Sequence, residues 1–381
     1  MTRRVAVLRG LAILAVVLYH SAAWGQNAAF FWAHTFRAVQ SPNYDQFGAP
    51  WYYVSVLIER WAWFSVPAFL FASGFSIGYA GGRGTATVSW PSVRARVILL
   101  IRPYLFWSLV IFLGDALLLG ITYPWSQYVR RLAVGNAVGP YYFVPLLIQF
   151  LILSPFITRW AKRSAGTLLL AAAIVQGTAQ IVFQVTGSAW TLWVYPWGFC
   201  YWSFFFALGV VVFQDQQLAG ALKGRLRWVF LLAAGCFWAY SAREVVASFS
   251  SGVSFGEAHH SQRLSSSIYA LAFMLAILGF GGGNGRVSGA LRWLGARSYG
   301  VYLLHYSAQA AVSKLLYHFA PWVLAHQTLY QPLLLVTGLG LSLALMEAVA
   351  RSRLRRGYVY LFGATVRPKG PLSQPHVGRR A

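Results

Sequence analysis

Apolar segments close to twenty residues long follow one another through almost the whole chain, at about 5–23, 52–80, 97–119, 141–160, 166–186, 194–213, 228–249, 264–280, 290–319 and 329–350. A helix needs ~20 such residues to cross a hydrocarbon core roughly 30 Å thick. In lipid only helices and closed barrels satisfy every backbone polar group. No stretch reads as β-rich, so the segments predict an all-α, polytopic integral membrane protein of about ten transmembrane helices. Only 10% of the residues are charged, against roughly a quarter in a soluble domain. No hydrophilic block is long enough for a separate soluble domain and no internal repeat is visible. The expected organisation is one membrane-embedded domain over 1–350 and a basic tail over 351–381.

An even number of spans puts both termini on one side. The net charge of +24 would suggest nucleic acid as the partner of a soluble protein, but its distribution argues otherwise. The loops on one side, with the tail, hold 22 of the 31 Lys and Arg residues; the other side holds four, Arg37, Arg130, Arg131 and Arg263. The positive-inside rule makes the rich side cytoplasmic, with anionic lipid of the bilayer as the ordinary partner of that charge and no nucleic acid. Cys200 and Cys236 lie inside apolar runs without metal-ligand spacing, so they read as packing residues and no metal site is expected.

The basic residues assigned to neither side, Arg9, Arg60, Arg102, Arg243 and Lys314, fall within spans. Intramembrane ionisable groups are functional candidates. In the stretch LRGLAILAVVLYH, Arg9 and His20 are eleven residues apart, about 20° past three full helical turns, so they share a face about 16 Å apart along the axis. Arg9 belongs near the cytoplasmic interface and His20 deeper, toward the opposite leaflet. Three plainer readings compete. Arg9 could snorkel, His20 could cap the far end, and the first 23 residues imitate a cleavable signal peptide; an arginine interrupting the early apolar run weakens the last. In VRARVILLIRPYLFW, Arg94, Arg96 and Arg102 gather at the start of one helix, where guanidinium groups suit a polyanionic cytosolic ligand.

These segments resemble a known family. The Leu-Arg-Gly opening with an aliphatic run to Tyr19-His20 is similar to the signature of the membrane-bound acyltransferase family three. VPAFLFASGF (66–75), RPYLFWSL (102–109), YFVPLLIQFLILSP (142–155) and LGARSYGVYLLH (294–305) resemble its later segments, in the same order. The resemblance implies an enzyme that moves an acyl group, commonly acetyl, from cytosolic acyl-CoA to a hydroxyl of a cell-envelope or secreted carbohydrate. It makes Arg9 and His20 the paired signature residues. Acyl-CoA is then a co-substrate, with no tightly bound cofactor, and proteins of envelope polysaccharide biosynthesis are possible partners in a bacterial inner membrane. Some relatives carry an added extracytoplasmic esterase-like domain; this chain is expected to work without one, completing transfer itself or handing the group on.

The residue chemistry agrees. A sugar hydroxyl is a poor nucleophile that a base assists, and histidine titrates nearest working pH, which gives His20 that part. CoA phosphates need cations, which Arg9, Arg94, Arg96 and Arg102 can supply. The seven acids of the chain leave few partners for His20. Glu59 is the first choice, and Glu257, beside His259 and His260, the second; either could instead pair with Arg60 or Arg263. His305 sits in a recognisable segment, although a lone helical histidine is more often packed than catalytic. Aromatics of the outer loops, among them Trp24, Trp32 and Trp51, fit an interfacial belt and could also stack on sugars. The rival from another class is a transporter or export protein for a polysaccharide or its precursor, with Arg and His lining the path.

Overall fold

A computed structural model describes residues 1–82, 87–186, 198–215, 220, 224–253, 258–259, 263–280, 283 and 285–364. Among them there are helices and no strand, as lipid demands of an unclosed chain. The helices are α1 (Thr2–Phe30), α2 (Pro50–Ala62), α3 (Ser65–Gly81), α4 (Trp90–Leu119), α5 (Trp125–Val134), α6 (Phe143–Arg163), α7 (Ala165–Thr186), α8 (Ser203–Gln214), α9 (Leu226–Ser250), α10 (Leu264–Phe280), α11 (Arg286–Ala296), α12 (Ser298–Phe319), α13 (Trp322–Ala325), α14 (Gln327–Arg351) and α15 (Tyr358–Phe362).

Among the described residues, seven stretches are long and apolar enough to cross a bilayer: Thr2–Phe30, Pro50–Gly81, Trp90–Leu119, Gly139–Arg163, Ala165–Val185, Leu226–Ser250 and Gln327–Arg351. Phe199–Gln214 and Leu264–Phe280 are shorter apolar helices. The remaining expected span, 290–319, is divided between α11 and α12. α12 falls short of the apolarity of those seven stretches because it carries polar residues such as His305, Gln309 and Lys314. The chain is a polytopic integral membrane protein.

α1 occupies the middle of the bundle, packed by α2, α3, α11, α12 and α14. α4, α7, α9 and α14 stand at the periphery and leave apolar side chains such as Leu109, Leu113, Ile174, Leu232 and Val336 exposed, the surface that acyl chains cover. α3 and α8 approach backbone to backbone. A Cβ on Gly74 would lie 2.1 Å from the Phe206 carbonyl oxygen, and one on Gly209 2.1 Å from that of Phe71. Without a hydrophobic drive between helices in lipid, such close small-residue contacts supply the attraction.

The segment expected as a single span over 52–80 is two helices joined at Trp63–Phe64. Pro67 has no N–H to give the Trp63 carbonyl, which interrupts the ladder. The Trp61 carbonyl accepts from Tyr269 Oη at 2.6 Å, and the Leu57 carbonyl from Trp238 Nε1 at 2.9 Å. Side chains of α10 and α9 thus hold the break, which sets Glu59 and Arg60 at the end of α2.

Candidate active site

The site is built on α1. At its N-terminal end α1 crosses α11 at backbone contact: a Cβ on Gly10 would fall 1.9 Å from the Leu291 carbonyl oxygen, and one on Gly295 2.6 Å from that of Ala6. The glycine of the Leu-Arg-Gly opening is therefore what lets the late segment LGARSYG reach the first helix. Beside this crossing, Arg9 Nη2 donates to Ser298 Oγ at 3.2 Å.

The same two segments meet again farther along. The His20 ring lies 5.3 Å from that of His305, 5.1 Å from Tyr306 and 5.0 Å from Tyr19, centroid to centroid. His20 is partly exposed, whereas His305 is fully buried. His305 Nδ1 is 3.1 Å from the Val301 carbonyl oxygen and 2.9 Å from that of Tyr302. Both neighbours only accept, so Nδ1 carries the proton and Nε2 the lone pair. One turn on, Gln309 Nε2 donates to the Val17 carbonyl at 3.0 Å and to Ser21 Oγ at 2.9 Å, fixing α12 to α1 just beyond the histidines. Tyr302 Oη bonds the Pro140 carbonyl, and Tyr141 Oη donates to the Leu303 carbonyl at 2.7 Å, which anchors α12 on its other side.

Arg94, Arg96 and Arg102 all lie on α4, Arg94 and Arg102 exposed and Arg96 partly so. α4 joins the Arg9 end of the site through Tyr299, whose Oη donates to the Leu100 carbonyl at 2.7 Å. Because Tyr299 follows Ser298, Arg9 and the basic N-terminal part of α4 flank the start of α12. Arg102 lies over the Tyr360 ring at 5.2 Å. The beginning of the expected solvent tail is in fact folded. Residues Tyr358–Phe362 form α15, and its Leu361 carbonyl accepts from Trp107 Nε1 at 2.8 Å; residues 365–381 lie outside the described residues.

Glu59 is fully buried, and its Oε2 accepts from His259 Nδ1 at 3.0 Å. Tyr52 Oη is 3.3 Å from His259 Nε2, and Arg60, also fully buried, donates to the His259 carbonyl. Arg60 also packs over the Trp63 ring at 4.6 Å, and Trp63 is 6.2 Å from Tyr19. A second polar cluster thus adjoins the face of α1 next to His20. In the sequence His259 stands out only as a neighbour of Glu257, which lies outside the described residues with His260. Arg263 pairs with Glu244 at 3.8 Å. The roles of Ser298, Tyr306 and Gln309 carried no signal that sequence reasoning could use, beyond the first belonging to the LGARSYG segment.

A cation at one end of a helix face and a titratable base about three turns away can hold a phosphate-bearing donor at one depth and deprotonate a hydroxyl at another. No curated protein and no solved structure matches the chain. A family described as "Acyltransferase domain" matches residues 3–347. That span contains the opening segment and the late segment that meets it twice in space, and the chain belongs to the membrane-bound acyltransferase family three.

Proposed function

We propose that the chain is an O-acyltransferase that moves an acyl group, acetyl in the first instance, from cytosolic acyl-CoA to a hydroxyl of an envelope or secreted polysaccharide or its lipid-linked precursor, at a bacterial plasma membrane. The observation that carries this reading is the double meeting of α1 with α12: Arg9 with Ser298 and His20 with His305. Arg9, with Arg94, Arg96 and Arg102 on the first turns of α4, binds the phosphates of the donor on the cytoplasmic side. His20 takes the proton from the acceptor hydroxyl as its oxygen forms a bond to the thioester carbonyl carbon. The carbon–sulfur bond then breaks, and the proton held on His20 passes to the departing thiolate, giving ester and free CoA. Glu59, through His259, supports the acceptor side of the same region.

Membranes containing the protein, given acetyl-CoA labelled in the acetyl group, test this directly. Label on carbohydrate, absent from membranes without the chain, is the expected result. Transport of unmodified carbohydrate with no label incorporated would overturn it in favour of an export role.

A further inference from the structure

α15 buries two of its aromatic rings and presents a third. Tyr358 and Phe362 are four residues apart, share one helix face and are buried, Phe362 completely. Their rings are 4.8 Å apart, and that of Phe362 stacks on Trp107 at 6.2 Å with an interplanar angle of 26°. Tyr360 is two residues from each, about 200° around the helix, and is 54% exposed. Burying its neighbours therefore turns this ring outward. The helix that carries it is held at both ends of its last turn. Trp107 Nε1 donates to the Leu361 carbonyl at 2.8 Å. Gly363, left-handed at φ +63°, packs against Tyr299: a Cβ there would lie 2.7 Å from Tyr299 Cδ1 and 3.2 Å from the Leu99 carbonyl oxygen. Tyr299 adjoins Ser298, to which Arg9 donates, so the Tyr360 ring is fixed beside the Arg9 end of the site.

Resting on the reading of this end as the donor site, we infer that Tyr360 is the platform on which the adenine of acyl-CoA stacks, with Arg102 taking the adjacent phosphate. The chemistry of CoA sets what such a platform needs. Its adenine is one ribose away from both the 3′-phosphate and the 5′-diphosphate, so a ring that receives the base must stand next to cations that receive the phosphates. Arg102 meets this condition, because its guanidinium carbon lies 5.2 Å over the Tyr360 ring and the residue is itself exposed. Arg94 and Arg96 precede it on α4 by about two turns. A planar guanidinium and a base can share one ring. More than half of Tyr360 stays exposed with Arg102 in place, which leaves ring surface for the base. The plainer role is an interfacial tyrosine facing lipid headgroups. That role predicts no nucleotide affinity, and binding separates the two.

The test measures equilibrium binding to the full chain purified in detergent, without turnover. The probes are acetyl-CoA and adenosine 3′,5′-bisphosphate, which keeps the adenine, the ribose and two phosphates and lacks the pantetheine arm and the acyl group. Stacking on an aromatic ring is worth about 5- to 100-fold in affinity. Tyr360→Ala should weaken both probes by that order, and Tyr360→Trp should bind both within about twofold of wild type, because a base needs the ring and not the hydroxyl. The ring that Ala removes is exposed, so its ligand-free unfolding temperature should match wild type. Unchanged affinity for the bisphosphate in the Ala variant, no binding of it to wild type, or Trp no better than Ala would overturn the adenine platform. A ligand-free unfolding temperature that falls together with affinity would also overturn it, making the ring a support for α15. Failure of the acyl-transfer reading shows separately, as wild-type membranes that bind acetyl-CoA and put no label on carbohydrate. If the Ala variant does not accumulate, Tyr360→Gln, a better helix former than tyrosine, replaces it with the same expectations.

Discussion

Arg9 shows how far one residue's role depends on its depth. Its guanidinium reaches Ser298 at 3.2 Å, near the first turns of α4, which carry Arg96 and Arg102, and its planar fork suits phosphate oxygens better than a point charge does. Arg9→Ala should weaken acyl-CoA binding about tenfold or more, and Arg9→Lys should restore only part of it. Equilibrium binding of labelled acyl-CoA to membranes checks this, and equal affinity in all three proteins would remove Arg9 from the donor site. Arg9 and His20 were legible as a pair because helical periodicity alone puts them on one face. The partner of Glu59 was not. His259 is 200 residues away in the chain, and no local pattern connects a carboxylate at the end of α2 to so distant a histidine. His305 was visible as part of a motif, but its neutral tautomer and its nearness to His20 depend on the register of α12 against α1.

At the scale of elements, the crossing of α1 and α11 decides whether the site forms. The Cβ of Gly10→Ala would have to clear a backbone carbonyl oxygen now 1.9 Å from that position, and backbone cannot swing aside as a side chain can. Overpacking of this kind costs about 1–3 kcal/mol. Gly10→Ala should therefore unfold at lower temperature in detergent and lose donor affinity with it, because Ser298 moves away from Arg9. Gly114→Ala, where a Cβ meets nothing within 4 Å, is the control and should change neither. Hydropathy located the helices but could not show where one turns. The division of 52–80 at Trp63–Phe64 depends on Pro67 and on side chains of α9 and α10 that take up the exposed carbonyls. The folding of Tyr358–Phe362 against α4 was equally hidden, since a short basic stretch reads as tail until Trp107 and Arg102 are seen to hold it.

Over the whole molecule, the two meetings of α1 and α12 fix a direction. Arg9 pairs with Ser298 and His20 with His305, so the helices run parallel, the relation expected of the first and ninth of ten alternating spans. With 22 of the 31 basic residues assigned to one side, both termini should be cytoplasmic. Reporter fusions after Arg351 should be active only as cytoplasmic markers, and an extracytoplasmic signal there would contradict the span count. On the proposed function, a single helix face connects the compartment of the donor to that of the acceptor, and the central claim is that His20 performs the chemistry at its outer end. The most direct measurement is acetyl transfer by His20→Gln, which keeps hydrogen-bonding capacity but cannot act as a comparable base, in membranes where it matches wild type in abundance and in acyl-CoA binding. Loss of general-base catalysis costs about 10² to 10⁴ in rate. Label on carbohydrate should fall by that order while bound donor stays level; transfer at the wild-type rate would contradict the assignment of His20 as the base.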